Sequence, residues 1–140
     1  MTNDRPLDHV AIVVADLATA ESTYRKLGFD VRYRERVEDQ GVDIVGMRAG
    51  DNTVELLRPI RDDSPLHRFL GDKQSRLHHF AYRVDDIEAE LTELKAKGIR
   101  LIDERPRRGA HGNLIAFVHP SDTGGTLVEL CQPERATGCR

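Results

Sequence analysis

The chain repeats itself, and the repeat decides most of what it can become. Residues 7–28, LDHVAIVVADLATAESTYRKLG, align without a gap on residues 77–98, LHHFAYRVDDIEAELTELKAKG, matching at Leu7/Leu77, His9/His79, Ala11/Ala81, Val14/Val84, Asp16/Asp86 and Gly28/Gly98. Later in each half the tripeptide Val-Glu-Leu recurs, at 54–56 and at 128–130. Self-similarity at this spacing is the signature of two copies of one supersecondary unit, related by an approximate rotation. Such a rotation brings His9, Glu55, His79 and Glu129 together. Two imidazoles and two carboxylates around one point form a donor set for a divalent metal.

The same element order is expected twice. In residues 7–14, Val10, Ile12 and Val14 share one face while His9, Ala11 and Val13 share the other; Tyr82 and Val84 oppose His79 and Ala81 in the second copy. Asp16 and Asp86 stand where helix N-caps belong, apolar residues follow at helical spacing, and Gly28 and Gly98 close each helix. Period-two patterning then predicts strands at 30–37, 42–49 and 52–57, and at 99–104, 114–119 and 126–132. Each half reads β-α-β-β-β, module one spanning about 7–57 and module two about 77–132. The charged connector 58–76 carries a short helix near 66–70, and the polar, glycine-rich stretch 105–113 reads as a loop without an element of its own. The fold class is therefore α+β, in a single domain over residues 1–140.

On the strand alternation Glu55 faces away from Val54 and Leu56, as Glu129 faces away from Val128 and Leu130. A carboxylate among apolar residues is costly to bury unless it is paired, hydrogen-bonded or bound to a metal. Singly, each His or Glu has a bland explanation as a satisfied core or rim residue; all four obeying the repeat is what the metal reading explains. His78 aligns with Asp8 on the helix-side face and is set aside as a ligand.

Composition narrows the function. With 21 Lys and Arg against 24 Asp and Glu, the net charge of −3 demands no basic face and argues against a nucleic-acid partner. No stretch approaches the roughly 20 apolar residues that span a bilayer, so no membrane partner is expected. MTNDRP is too polar to begin a secretory signal, and Cys131 and Cys139 form no disulfide framework; both observations point to a cytoplasmic protein with free thiols.

The segments LDHVAIVVADL, DQGV (39–42), VELLRP with DSP (63–65), LHHFAYRVDDI, GAHG (109–112) and HPSDTGGTLVEL (119–130) resemble the vicinal oxygen chelate superfamily and, within it, the methylmalonyl-CoA epimerase family. The match runs from residue 7 to about residue 132. The His and Glu positions are shared across the superfamily; the DQGV, DSP, GAHG and TGG segments favour the epimerases. The resemblance implies that the two modules pair into an eight-stranded, open, barrel-like sheet around one divalent metal, commonly cobalt, with manganese, nickel, zinc or magnesium as substitutes. It puts the ligand set on His9, Glu55, His79 and Glu129. It also implies a homodimer acting on an acyl-CoA in propionate metabolism, interconverting (R)- and (S)-methylmalonyl-CoA through a metal-stabilised enolate.

That reaction needs positive charge where the thioester oxygen turns negative and one base on each face of the planar carbon. Glu129 and Glu55 are the candidate bases. Some epimerases carry a second-base glutamate two residues after the QGV turn, where this chain has Ile44; neighbouring Asp43 points to the other strand face, and Gln40 or a water remain open as alternatives. Gln40, Arg107, Arg108 and His111, with Arg105 beside them, are candidate substrate contacts, the cations for the coenzyme A phosphates. The rivals are glyoxalase I, which the Glu at 55 suits and the DSP, GAHG and TGG segments do not, and a metal-free protein that sequesters a small ligand, which the complete set of four ligands argues against.

Overall fold

A computed structural model describes residues 4–134. The elements are β1 (Leu7–Val14), α1 (Leu17–Lys26), β2 (Asp30–Val37), β3 (Val42–Ala49), β4 (Asn52–Pro59), α2 (Pro65–Leu70), β5 (Ser75–Arg83), α3 (Ile87–Ala96), β6 (Arg107–Arg108), β7 (Leu114–Val118) and β8 (Val128–Gln132). The strands are hydrogen-bonded in the order β2-β3-β4-β1-β5-β8-β7-β6, an eight-stranded sheet. The chain divides into two compact units, one comprising His9–His79 and the other the residues up to Asp8 together with Phe80 onward. The division falls inside β1 and inside β5, so each of these strands contributes residues to both units.

In the first unit, β1 runs parallel to β4, while β3 runs antiparallel to both β4 and β2. A parallel pair needs a long crossover, and α1, β2 and β3 supply it. Helix α1 starts where Asp16 accepts the Thr19 amide at 3.0 Å and ends before Gly28, whose φ of +106° only glycine adopts without strain. It packs Leu17, Ala20 and Tyr24 over the sheet face built by Ile12, Val14, Val45, Met47 and Leu56. His9, Ala11, Thr53, Glu55 and Leu57 alternate with that face and are all buried. The start of β5 belongs here too: the amide of Ala15 donates to Gln74 O at 2.9 Å.

In the second unit, β5 runs parallel to β8, and β7 is antiparallel to β8 and to β6. Asp86 caps α3 as Asp16 caps α1, accepting the Ala89 amide at 3.1 Å. Ile87 and Leu91 bury against Val84, Ala116, Val118 and Leu130. The beginning of β1 is fastened to this unit by the Arg83 amide on Pro6 O at 2.8 Å and by the Arg83–Asp8 ion pair at 3.2 Å.

One expected strand is absent. Residues 99–104 make only an isolated bridge, Leu101 with Val118. The reason lies at Asp103, whose carboxylate accepts the Phe117 amide at 2.8 Å, while the Phe117 carbonyl takes the Ile102 amide at 2.9 Å. A side chain thus supplies an acceptor that a paired strand would supply from its backbone, and the ladder stops. The fourth strand of this half is instead the two-residue β6, Arg107–Arg108, from the stretch read as pure loop, paired with Ile115 and Leu114. The 3-10 turn 110–112 follows, with His111 at a left-handed φ of +62°.

Candidate metal centre

The pairing register shows why the repeat puts chemistry where it does. On β4, Glu55 lies opposite Ala11 of β1 and opposite Gly46 of β3. On β8, Glu129 lies opposite Ala81 of β5 and opposite Phe117 of β7. Each glutamate therefore faces a small alanine, and each alanine lies two residues after a histidine, on the same strand face.

Within the first unit His79 and Glu55 each approach His9. Nε2 of His9 lies 3.2 Å from Nε2 of His79 and 3.6 Å from Oε1 of Glu55. The histidine rings meet edge to face, their centroids 5.3 Å apart. All three residues are buried, at 5 %, 7 % and 6 % exposure. Donor atoms held about 2.0–2.2 Å from one ion sit roughly 3 Å apart around it, the scale of the separations seen here. The donor chemistry, two imidazole nitrogens and a carboxylate oxygen screened from water, fits a divalent metal. In the second unit Glu129 is buried at 3 % exposure, and its carboxylate offers a further ligand atom of the same kind.

Two side chains without an assigned role reach this group. His78 is half-buried, and its Nδ1 lies 2.8 Å from Nδ1 of His79. Strand alternation directed it to the helix side; its ring instead stands edge-on to His79 and to Phe69. A hydrogen bond on the second ring nitrogen of a ligating histidine fixes which nitrogen is free to ligate. Tyr33 of β2 donates its hydroxyl to Oε2 of Glu55 at 2.5 Å. The sequence did carry a signal for it: Gly46 stands in the interior of a strand, and an interior strand glycine marks a close approach.

The remaining candidates lie elsewhere. Ile44 is buried opposite Leu57. Asp43 is held by the Arg36 guanidinium through two hydrogen bonds, 2.7 and 2.9 Å, and that cation lowers its carboxyl below the usual range. It is engaged with Arg36, and strand alternation puts it on the face of β3 opposite to that of Gly46, the residue paired with Glu55. Gln40 is half-buried in the 3-10 turn 38–40, and His111 is exposed. Arg107 is exposed and already paired with Asp103 at 3.1 Å, and Arg108 is exposed beside it. Cys131 is buried, whereas Cys139 lies outside the described residues. Among the described residues no helix is long and apolar enough to cross a membrane.

Comparison with known proteins gives this arrangement its context. The family model for the glyoxalase/bleomycin resistance protein/dioxygenase superfamily matches residues 8–117. The mitochondrial methylmalonyl-CoA epimerase of Homo sapiens is 42 % identical over 128 residues, which cover 90 % of this chain and 73 % of that protein. The crystal structure of methylmalonyl-CoA epimerase from Mycobacterium tuberculosis superposes with a TM-score of 0.88 at 34 % identity, over 93 % of this chain and 89 % of that one. A structure of methylmalonyl-CoA epimerase in complex with methylmalonyl-CoA and NH4+ has a TM-score of 0.86 at 33 % identity, covering 92 % of this chain and 94 % of the other. The sheet is thus that of a known family: the chain belongs to the glyoxalase/bleomycin resistance protein/dioxygenase superfamily and, within it, to the methylmalonyl-CoA epimerases.

Proposed function

We propose that the chain epimerises methylmalonyl-CoA, holding one divalent metal ion through His9, Glu55, His79 and Glu129 and acting as a single domain. The observation that carries the reading is buried His9, its Nε2 3.2 Å from Nε2 of His79 and 3.6 Å from Oε1 of Glu55, in a chain 42 % identical to an epimerase of that name. An ion there supplies positive charge for the oxygen that turns negative as the proton between thioester and carboxylate leaves. The protein's own part is proton transfer. Glu129 and Glu55 are the two bases, one removing the proton and the other's conjugate acid returning one from the opposite face. Each such group contributes about 10²–10⁴ in rate.

Cobalt is the proposed metal. Gln40 is a further substrate contact, and Arg107 and Arg108, with His111 beside them, meet the coenzyme A phosphates, Arg107 by exchanging Asp103 for phosphate. We further propose a cytoplasmic homodimer serving propionate metabolism.

Proton NMR of methylmalonyl-CoA in D₂O with the cobalt-loaded protein tests the reading. Loss of the α-proton signal, abolished by EDTA, is the expected result. Persistence of that signal with a protein that demonstrably holds its metal overturns the epimerase assignment.

A further inference from the structure

We propose that Tyr33 is a positioning residue for Glu55, committing Oε2 to a hydrogen bond so that Oε1 alone is presented as a metal ligand, and that Gly46 is the opening through which it works. The proposal rests on the metal reading above and deepens it. Tyr33, Gly46 and Glu55 form one cross-strand row, Tyr33 of β2 opposite Gly46 of β3 and Gly46 opposite Glu55 of β4. Tyr33 and Glu55 thus stand two strand spacings apart, about 9–10 Å. Their side chains can meet only by leaning over the residue between. A methyl group at position 46 would sit 2.4 to 2.7 Å from the Cζ and Cε atoms of Tyr33, so the ring lies directly on the Gly46 backbone. No other residue type leaves that space.

The two carboxylate oxygens of Glu55 consequently have separate tasks. Oε2 accepts the Tyr33 hydroxyl at 2.5 Å, and Oε1 faces Nε2 of His9 at 3.6 Å. A glutamate with both oxygens uncommitted can rotate or chelate through both. One anchored through Oε2 by a rigid aromatic arm presents a single oxygen in a fixed direction. Neighbours that orient a ligand in this way typically alter metal affinity by about 10–100-fold when removed. The phenol does not touch substrate in this role; it acts through the carboxylate.

The test is cobalt binding by the full chain, measured by competition with a chelator, together with the visible absorption band of the bound ion, which reports coordination geometry. Tyr33→Phe keeps the ring on Gly46 and deletes only the hydroxyl. The expected result is about 10–100-fold weaker cobalt binding with a shifted band. In a Glu55→Ala background the same substitution should have no further effect, because the group it positions is gone. If the wild-type chain binds cobalt and Tyr33→Phe matches it in affinity and spectrum, the positioning role falls while the metal centre stands. If the wild-type chain itself takes up no cobalt, both fall together.

Discussion

Glu55 and Glu129 occupy equivalent places in the repeat, yet their neighbours differ: glycine beside one, phenylalanine beside the other. Glu55 accepts a phenol hydroxyl over its glycine, whereas the residue opposite Glu129 on the next strand is Phe117, whose Cβ leaves no such opening over the backbone. Replacing either with glutamine keeps an oxygen donor and removes the basicity. Glu129→Gln and Glu55→Gln should therefore retain metal on elemental analysis and lose α-proton exchange by at least about 10²-fold. Unchanged exchange in Glu55→Gln would leave Glu55 a ligand only. At this scale the sequence was most readable where it repeated: His9, His79, Glu55 and Glu129 stood out because each had a counterpart. Tyr33 and His78 have none. Their hydrogen bonds depend on how a ring leans across a neighbouring strand or along its own, which alternation in a sequence does not encode.

The elements followed the local rules closely. Both N-cap aspartates, both helix-closing glycines and seven of the eight strands lie where pattern and capping put them. The failure at 99–104 is one of competition: alternation is right for a strand, but Asp103 offers its own carboxylate to the Phe117 amide. Charge also ties elements together. Glu21 of α1 accepts hydrogen bonds from Arg34 of β2 and from Arg25 one turn on, and these cations, Arg34 first, lower its pKa from 4.5 to about 2. A depressed carboxyl stabilises the fold above its unfolded pKa and ceases to do so as pH falls through the folded one. Glu21→Gln should therefore lose up to about 1 kcal/mol near pH 6, since exposed arginines limit the gain, and the deficit should vanish between pH 4.5 and about 2. Thermal unfolding of both proteins across that range measures it.

For the whole molecule, the proposed ligands come from β1, β4, β5 and β8, so binding of an ion to the native state alone adds its free energy to folding. At a free metal concentration 100 times Kd that is about 2.7 kcal/mol, and stripping with EDTA should lower Tm by roughly 5–10 °C. Scanning calorimetry before and after metal return checks it; an unchanged Tm would mean that no ion stabilises the fold. Strand order was legible only in part. The repeat implied that β1 and β5 hold equivalent places, but not that each would contribute residues to both units, because the division runs through the strands rather than between them. The outermost strand of the first unit has a further consequence. β2 carries Arg32, Arg34 and Arg36 in alternation, all exposed. Arg34 and Arg36 are already held by Glu21 and Asp43 of the same molecule, so a second copy that added to that edge in antiparallel fashion about Arg34 would have to set these long paired side chains against their own copies. Charged side chains along an outer strand discourage continuation of the sheet, and this border is guarded in that way against growth by strand addition.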